Sequence, residues 1–288
     1  MRGLKKGALV NANMNESIRA KKSLGQNFLK DPHYLRKIVD AAQVGPDDQV
    51  LEIGPGLGHL THELARRSRS VLTLELDTRL IPMLEREFCE QKHITIVHAD
   101  ALDYPYGSLT GIWKAVANLP YYISTPIIQR LLENRSRFTS LTLLLQKEVA
   151  ERIASPPGSK EYGFLSVLVQ LSAEPRIEFM IPANAFTPVP KVDSAVVTLH
   201  MREHPAATGT DKAFLISMLK AVFSQRRKTL RNGLKPLAIP TACLDTALQS
   251  TGIDLSRRAE TLSIDEFCLL AGFLAKAAPP AVRETISS

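Results

Sequence analysis

Along most of the chain, short apolar runs alternate with amphipathic stretches. Runs with the length of buried strands fall at Val50–Ile53, Val71–Glu75, Ile94–Val97, Ala115–Ala117 and Leu141–Leu145. Between them, apolar residues recur at helical spacing over Leu57–Arg67, Thr78–Phe88 and Thr125–Glu133. Ahead of the first run, Leu35, Ile38, Val39 and Ala42 share one helix face, with Asp31 as cap and Pro32 in the first turn. Buried strands alternating with helices predict an α/β fold: a mostly parallel sheet with helices on both faces. A helix at Phe164–Ser172 precedes two final strands, Arg176–Ile181 and Ser194–Met201, which form an antiparallel edge and bring the sheet to seven strands.

The pattern changes at His204–Asp211, where Pro, Gly, Ala and Thr make a linker. Beyond it the periodicity is helical throughout: Phe214–Phe223, a basic turn, Thr241–Thr251 and Ile264–Ala277. The predicted organisation is a mobile tail over 1–20, an α/β domain over 21–205 and a small all-helical domain over 210–278.

Composition adds little until charge is considered. With 44% hydrophobic and 23% charged residues, the 288-residue chain is ordinary for a soluble protein. No apolar run approaches the roughly 20 residues of a membrane helix, so no membrane role is expected. The stretch Ala8–Val10 stops at Asn11, too short for a signal peptide. Cys89, Cys243 and Cys268 lie far apart, without metal-ligand or disulfide spacing, and read as reduced thiols of a cytoplasmic protein that holds no metal. The net charge of +7 and pI of about 9.3 favour a polyanionic partner. Basic residues cluster at Arg19, Lys21 and Lys22, and again at Arg226, Arg227, Lys228, Arg231 and Lys235.

The candidate chemistry starts directly after the first strand, at Glu52-Ile-Gly54-Pro-Gly56-Leu-Gly58. A glycine-rich turn between strand and helix lets a ligand approach the backbone closely. A dinucleotide fingerprint would need a further glycine where His59 stands, which disfavours a nicotinamide oxidoreductase. Glu52 offers a carboxylate to an ammonium group through water. Glu75 ends the second strand, where an acid accepts from both ribose hydroxyls; Asp77 is assigned to capping the next helix. Asp100 follows the third strand and can accept from an exocyclic purine amine. Together these residues describe an adenosine joined to an amino acid, which is S-adenosylmethionine.

After the fourth strand comes Asn118-Leu-Pro120-Tyr121-Tyr122. An aromatic amine is a poor nucleophile because its lone pair is delocalised. Two acceptors aimed at its N–H groups, the Asn118 side-chain oxygen and the Pro120 carbonyl, would concentrate that lone pair, and Tyr121 can stack on the base. Asn118, Pro120 and Tyr121 are therefore the expected catalytic residues of transfer to adenine N6.

With these residues in place, the chain resembles the bacterial small-subunit (16S) rRNA adenine N6,N6-dimethyltransferases, the kasugamycin-susceptibility dimethyladenosine transferase family. The segments SLGQNFL (Ser23–Leu29), EIGPGLG, ELD (Glu75–Asp77), ADAL (Ala99–Leu102), NLPYYISTPI, LQKEVAERI (Leu145–Ile153), FTPVPKVDSAVV (Phe186–Val197) and FSQRRKTLRNGL (Phe223–Leu234) carry the resemblance. It implies a Rossmann-like class I methyltransferase fold. It also implies a cofactor shell of Asn27, Leu29, Glu52, Gly54, Gly56, Gly58, Glu75, Asp100 and Asn118. Phe186 would flank the target base opposite Tyr121, and Arg226, Arg227, Lys228 and Arg231 would meet RNA phosphates. The implied substrate is two adjacent adenines in a hairpin loop of 16S rRNA, in the immature small subunit, with the enzyme acting as a cytoplasmic monomer in ribosome biogenesis. Two rivals are kept: a large-subunit methyltransferase of the macrolide-resistance type, and a non-catalytic RNA-binding factor on the same fold.

Overall fold

In the computed structural model, which describes residues 20–21, 24–204, 206–207, 209–225 and 227–277, the first element is a two-residue strand, β1 (Phe28–Leu29). The tail expected over residues 1–20 falls outside these residues except for Ala20. Helix α1 (Pro32–Ala41) follows, with the Asp31 carboxylate accepting from the His33 N–H at 2.8 Å and Pro32 in its first turn. Then come β2 (Gln49–Ile53), α2 (His59–Ala65), β3 (Ser70–Glu75), α3 (Ile81–Glu87), β4 (Ile94–His98), β5 (Trp113–Asn118), α4 (Ser124–Glu133) and β6 (Phe138–Gln146). Helix α5 (Lys147–Ala154), α6 (Phe164–Gln170), β7 (Ala173–Ile181), β8 (Phe186–Thr187) and β9 (Ser194–Met201) complete this stretch.

The main sheet has seven strands in the order β4-β3-β2-β5-β6-β9-β7. The pairs β3–β4, β2–β3, β2–β5 and β5–β6 are parallel, and β9 runs antiparallel to β6. β9 is thus inserted between β6 and β7. Strands β2, β5 and β6 are buried almost throughout, as a sheet covered on both faces requires. One apolar cluster joins Leu35, Ile38 and Val39 of α1 to Val50, Val71, Val116, Leu144 and Val196 of five strands. A second, separate sheet pairs β1 with β8 antiparallel, Phe28 opposite Thr187 and Leu29 opposite Phe186.

The described residues fall into two compact units, and their division differs from the expected boundary between 205 and 210. The first unit takes the chain up to Ala150 and Arg176–His200; the second takes Glu151–Pro175 and the chain from Met201 onward. The reason is burial. Tyr162, Val167 and Leu171 share one apolar cluster with Phe214, Leu215, Met218 and Leu219, so the segment around α6 is covered by the later helices. Those helices are α7 (Lys212–Phe223), α8 (Leu230–Gly233), α9 (Thr241–Thr251) and α10 (Ile264–Ala277). The single-turn α8 occupies the expected basic turn; the Thr229 hydroxyl caps it, accepting from the Asn232 N–H at 3.4 Å.

α7 and α8 approach almost backbone to backbone at Gly233, where an added Cβ would lie 3.0 Å from Val222 Cα and 3.4 Å from its side chain. We expect Gly233→Ala to lower stability by about 1–3 kcal/mol through overpacking. Urea unfolding of the full chain measures this, and an unchanged midpoint would show that the crossing is looser.

Candidate active site

The site is built where parallel strands end. Ile53 at the end of β2, Glu75 at the end of β3 and Asn118 at the end of β5 reach one edge of the sheet, where open α/β folds bind ligands. The turn after β2 needs glycine: Gly54, Gly56 and Gly58 have φ of 70°, 57° and 80°. Around this edge lies a cavity of about 1070 Å³, open solvent at its mouth included.

Of the predicted residues, Asn27, Leu29, Glu52, Gly54, Gly56, Glu75, Asp100, Asn118, Pro120 and Tyr121 all line this cavity. Two do not. An added Cβ on Gly58 would meet the Phe88 ring at 3.0 Å and Leu84 at 3.2 Å, so this glycine serves the turn and the packing of α2 on α3 rather than the cavity wall. Phe186, expected beside the base, is 2% exposed and belongs to the core with Leu29 and Leu35; in this structure its ring does not reach the cavity. Its pairing partner across the β1–β8 ribbon, Leu29, does line the cavity, so Phe186 sits directly behind the wall.

Each acid is held differently. Glu75 is 5% exposed; its Oε2 accepts from the Gly56 N–H at 3.1 Å and its Oε1 from the Asp77 N–H at 2.8 Å. Burial raises its pKa, against those backbone bonds. Both oxygens keep spare lone pairs for hydroxyl donors. The Asp100 Oδ1 accepts from the Leu102 N–H at 2.8 Å, which fixes the carboxylate at its turn. Asp77 lies outside the cavity. Arg79 chiefly, and Gln26 as well, hydrogen-bond it and hold its pKa down at about 2. As expected it caps the start of the next helical segment: its Oδ1 accepts from the Arg79 N–H at 3.2 Å and its carbonyl from the Leu80 N–H at 2.9 Å, closing the turn that leads into α3 at Ile81.

Glu52 is 1% exposed, and its pKa is pushed up to about 8, foremost by burial. Its Oε2 accepts from the Thr61 hydroxyl at 2.7 Å, while Oε1 has no hydrogen-bond partner. An orphaned acceptor in the wall suits a ligand that brings a donor or a positive charge. With a fixed acid at Glu75 and another at Asp100, the residues present fit a nucleoside carrying an amino-acid tail.

At the end of β5 the Asn118 Nδ2 donates to the Asn27 carbonyl at 3.0 Å. The Pro120 carbonyl accepts from the Ile123 N–H at 3.2 Å, so it is fixed and keeps a second lone pair. The Tyr121 hydroxyl lies 2.6 Å from Ser194 Oγ, which anchors the ring; burial raises the phenol's pKa. Ser194 escaped the sequence reading because only β9 folding back onto β6 brings it here. Leu76, 40% exposed beside Glu75, was also missed, although an apolar residue just beyond a strand-end acid is a usable signal. Gln26, placed in a motif without a role, lines the cavity and donates to Asp77 Oδ2 at 2.9 Å.

In the helical unit Arg227 and Lys228 are exposed, while Arg231 Nη2 pairs with Asp245 Oδ1 at 2.6 Å; Arg226 lies outside the described residues. Among the described residues no group of three or more His, Cys, Asp or Glu is placed to hold a metal ion, and no helix is long and apolar enough to cross a membrane.

Comparison with known proteins identifies the setting of this geometry. The family model described as "Ribosomal RNA adenine dimethylase" matches residues 17–276. "Ribosomal RNA small subunit methyltransferase A" of Geobacter metallireducens is 46% identical over 263 residues, covering 89% of this chain and 96% of the relative. The protein of the same name from Bacillus pumilus is 44% identical, covering 89% and 92%. Among solved structures, a dimethyladenosine transferase from Plasmodium falciparum has a TM-score of 0.74 at 29% identity, covering 84% of this chain and 95% of its own. The 23S rRNA methyltransferase ErmE has a TM-score of 0.67 at 28% identity, covering 86% and 100%.

The burial of Glu52 sets a pH dependence. Below about 4.5 the carboxyl is protonated both folded and unfolded; between about 4.5 and about 8 only the unfolded chain ionises, so stability falls as pH rises; above about 8 both ionise and the slope ends. Glu52→Gln is expected to flatten this decline and raise Tm at pH 8 in the ligand-free protein. Melting curves from pH 5 to pH 8.5 test it, and parallel curves for variant and wild type would refute it.

Proposed function

Because the chain belongs to the ribosomal RNA adenine dimethylase family, we propose that the strand-end cavity is where its methyl transfer takes place. The protein is an S-adenosylmethionine-dependent methyltransferase that dimethylates adenine N6 in 16S rRNA of the small ribosomal subunit. When bound, S-adenosylmethionine supplies a methyl group on a positively charged sulfonium.

The chain's own residues then divide the work. Gly54 and Gly56 leave room at the backbone, Glu75 accepts from the ribose, and Asp100 accepts from the cofactor's adenine amine. Glu52 acts on the ammonium of the amino-acid end through water, and Asn27 and Leu29 close the cavity from the N-terminal side. Asn118 Oδ1 and the Pro120 carbonyl accept from the two N–H groups of the target amine and localise its lone pair. Tyr121, anchored by Ser194, stacks on the base, which must leave its own stack to enter. No strong base is needed, because the methylated amine loses its proton readily. The observation that carries this reading is the meeting of Asn118, Pro120 and Tyr121 with Glu52, Glu75 and Asp100 around one cavity.

Arg227 and Lys228, with Arg226, are proposed to contact RNA phosphates, adding affinity without sequence choice. Arg231 contributes less, since Asp245 already neutralises it. We propose that it meets this ribosomal substrate in the cytoplasm and acts as a monomer.

The function is tested with purified small and large subunits that lack the modification. Dimethyladenosine is expected in small-subunit RNA alone; label in the large subunit only would support the ErmE-like alternative, and no label would refute enzymatic activity. Tyr121→Ala is expected to lower kcat/KM about 10- to 100-fold, from the ~1–3 kcal/mol of base stacking, while cofactor affinity by calorimetry stays within about three-fold.

A further inference from the structure

The contact between Asn118 and Asn27 fixes more than a side-chain position. A carbonyl oxygen can only accept, so the end of the Asn118 amide that faces Asn27 at 3.0 Å must be the nitrogen end. The amide oxygen therefore points the other way. The two ends of an amide have nearly the same shape, and without that carbonyl little would prevent a half-turn that presents N–H groups to an incoming amine.

The segment carrying the carbonyl is itself built to hold still. Asn27 Nδ2 donates to the Gly25 carbonyl at 3.2 Å, closing a tight turn. Gly25 has φ of 59°, and an added Cβ would lie 2.9 Å from Tyr122 Cδ1. Gln26 is bonded to Asp77, and the next two residues pair with β8. The strap from Gly25 to Leu29 is thus fastened at four points, and its residues also line the cavity.

We infer that Asn27 is a positioning residue for methyl transfer: its backbone carbonyl sets which end of the Asn118 amide faces the target adenine. The inference rests on the reading of Asn118 as the acceptor for that amine. It adds a coupling, because the strap that closes the cofactor cavity also makes the acceptor ready. A disordered strap would leave Asn118 in place with its amide free to turn.

The variant Asn118→Asp separates this role from simple acceptance. A carboxylate is the stronger acceptor but has no donor for Asn27, so at neutral pH two oxygens oppose each other. A protonated carboxyl regains a donor toward Asn27 and keeps a C=O for the amine. Glu52 from β2, Glu75 from β3, Asp100 after β4, His59 on α2 and the neighbouring Tyr121 and Tyr122 share the cavity in variant and wild type alike. The reading is therefore the ratio of kcat for variant to wild type, at saturating cofactor and RNA. We expect this ratio to be low at about pH 8 and to rise roughly ten-fold toward about pH 5.5, as the carboxyl takes up a proton. A variant as active as wild type at pH 8, with a ratio that falls in acid, would overturn the inference. Where the ratio is flat or turnover is lost, amide exchange of residues 25–29 in the full, cofactor-free chain decides. Exchange about ten-fold faster in the variant at neutral pH supports the contact, and unchanged exchange overturns it. Failure of the wild-type chain to methylate RNA would instead refute the proposed function, and the exchange measurement would still report on the strap.

Discussion

Parallel hydrogen bonding between β4, β3, β2, β5 and β6 makes every one of these strands finish on the same side of the sheet. Groups far apart in sequence are brought together with no other device. The turn after Ile53, the acid at Glu75, the acid just past β4 and the amide at Asn118 become neighbours because their strands share a direction and a register. Burial on both faces holds that register, since a slip would break the close packing around Leu51, Val116 and Leu143. The chemical precision of the site is inherited from this apolar packing.

Within that frame, neighbouring carboxyl groups are driven to opposite protonation. Glu52 sits among core residues with one hydroxyl for company, and Asp77 sits between a guanidinium and an amide. A single net charge would say nothing of this. The environment decides which acid stays ionised and which awaits a partner.

The sequence made the regular elements legible where one period persists. The bounds of β9, α9 and α10 coincide with the reading, because alternation or helical spacing runs unbroken through Ser194–Met201, Thr241–Thr251 and Ile264–Ala277. The β1–β8 ribbon left no trace, as two residues cannot show a period. Helix α5 begins at Lys147, immediately where β6 ends at Gln146, so no turn residue separates them. In the site, glycines and acids at strand ends were readable from chemistry and order alone. What was not readable depended on long-range placement: Ser194 on Tyr121, Phe186 turned into the core, Gly58 under Phe88. The glycine loop carried the expectation for Gly58 and the family resemblance that for Phe186, and neither a motif nor a resemblance contains the packing around a residue.

The path of the chain between the two units bears on how the molecule is made. Residues 151–175 belong with helices that leave the ribosome later, and Arg176–His200 then return to finish the sheet. While synthesis is under way, Tyr162, Val167 and Leu171 have emerged with none of their eventual neighbours from α7 to α10. The nascent protein therefore carries an uncovered apolar segment until the later helices emerge to pack on it. Because each unit is made of two separate stretches of chain, neither can be excised by a single cut.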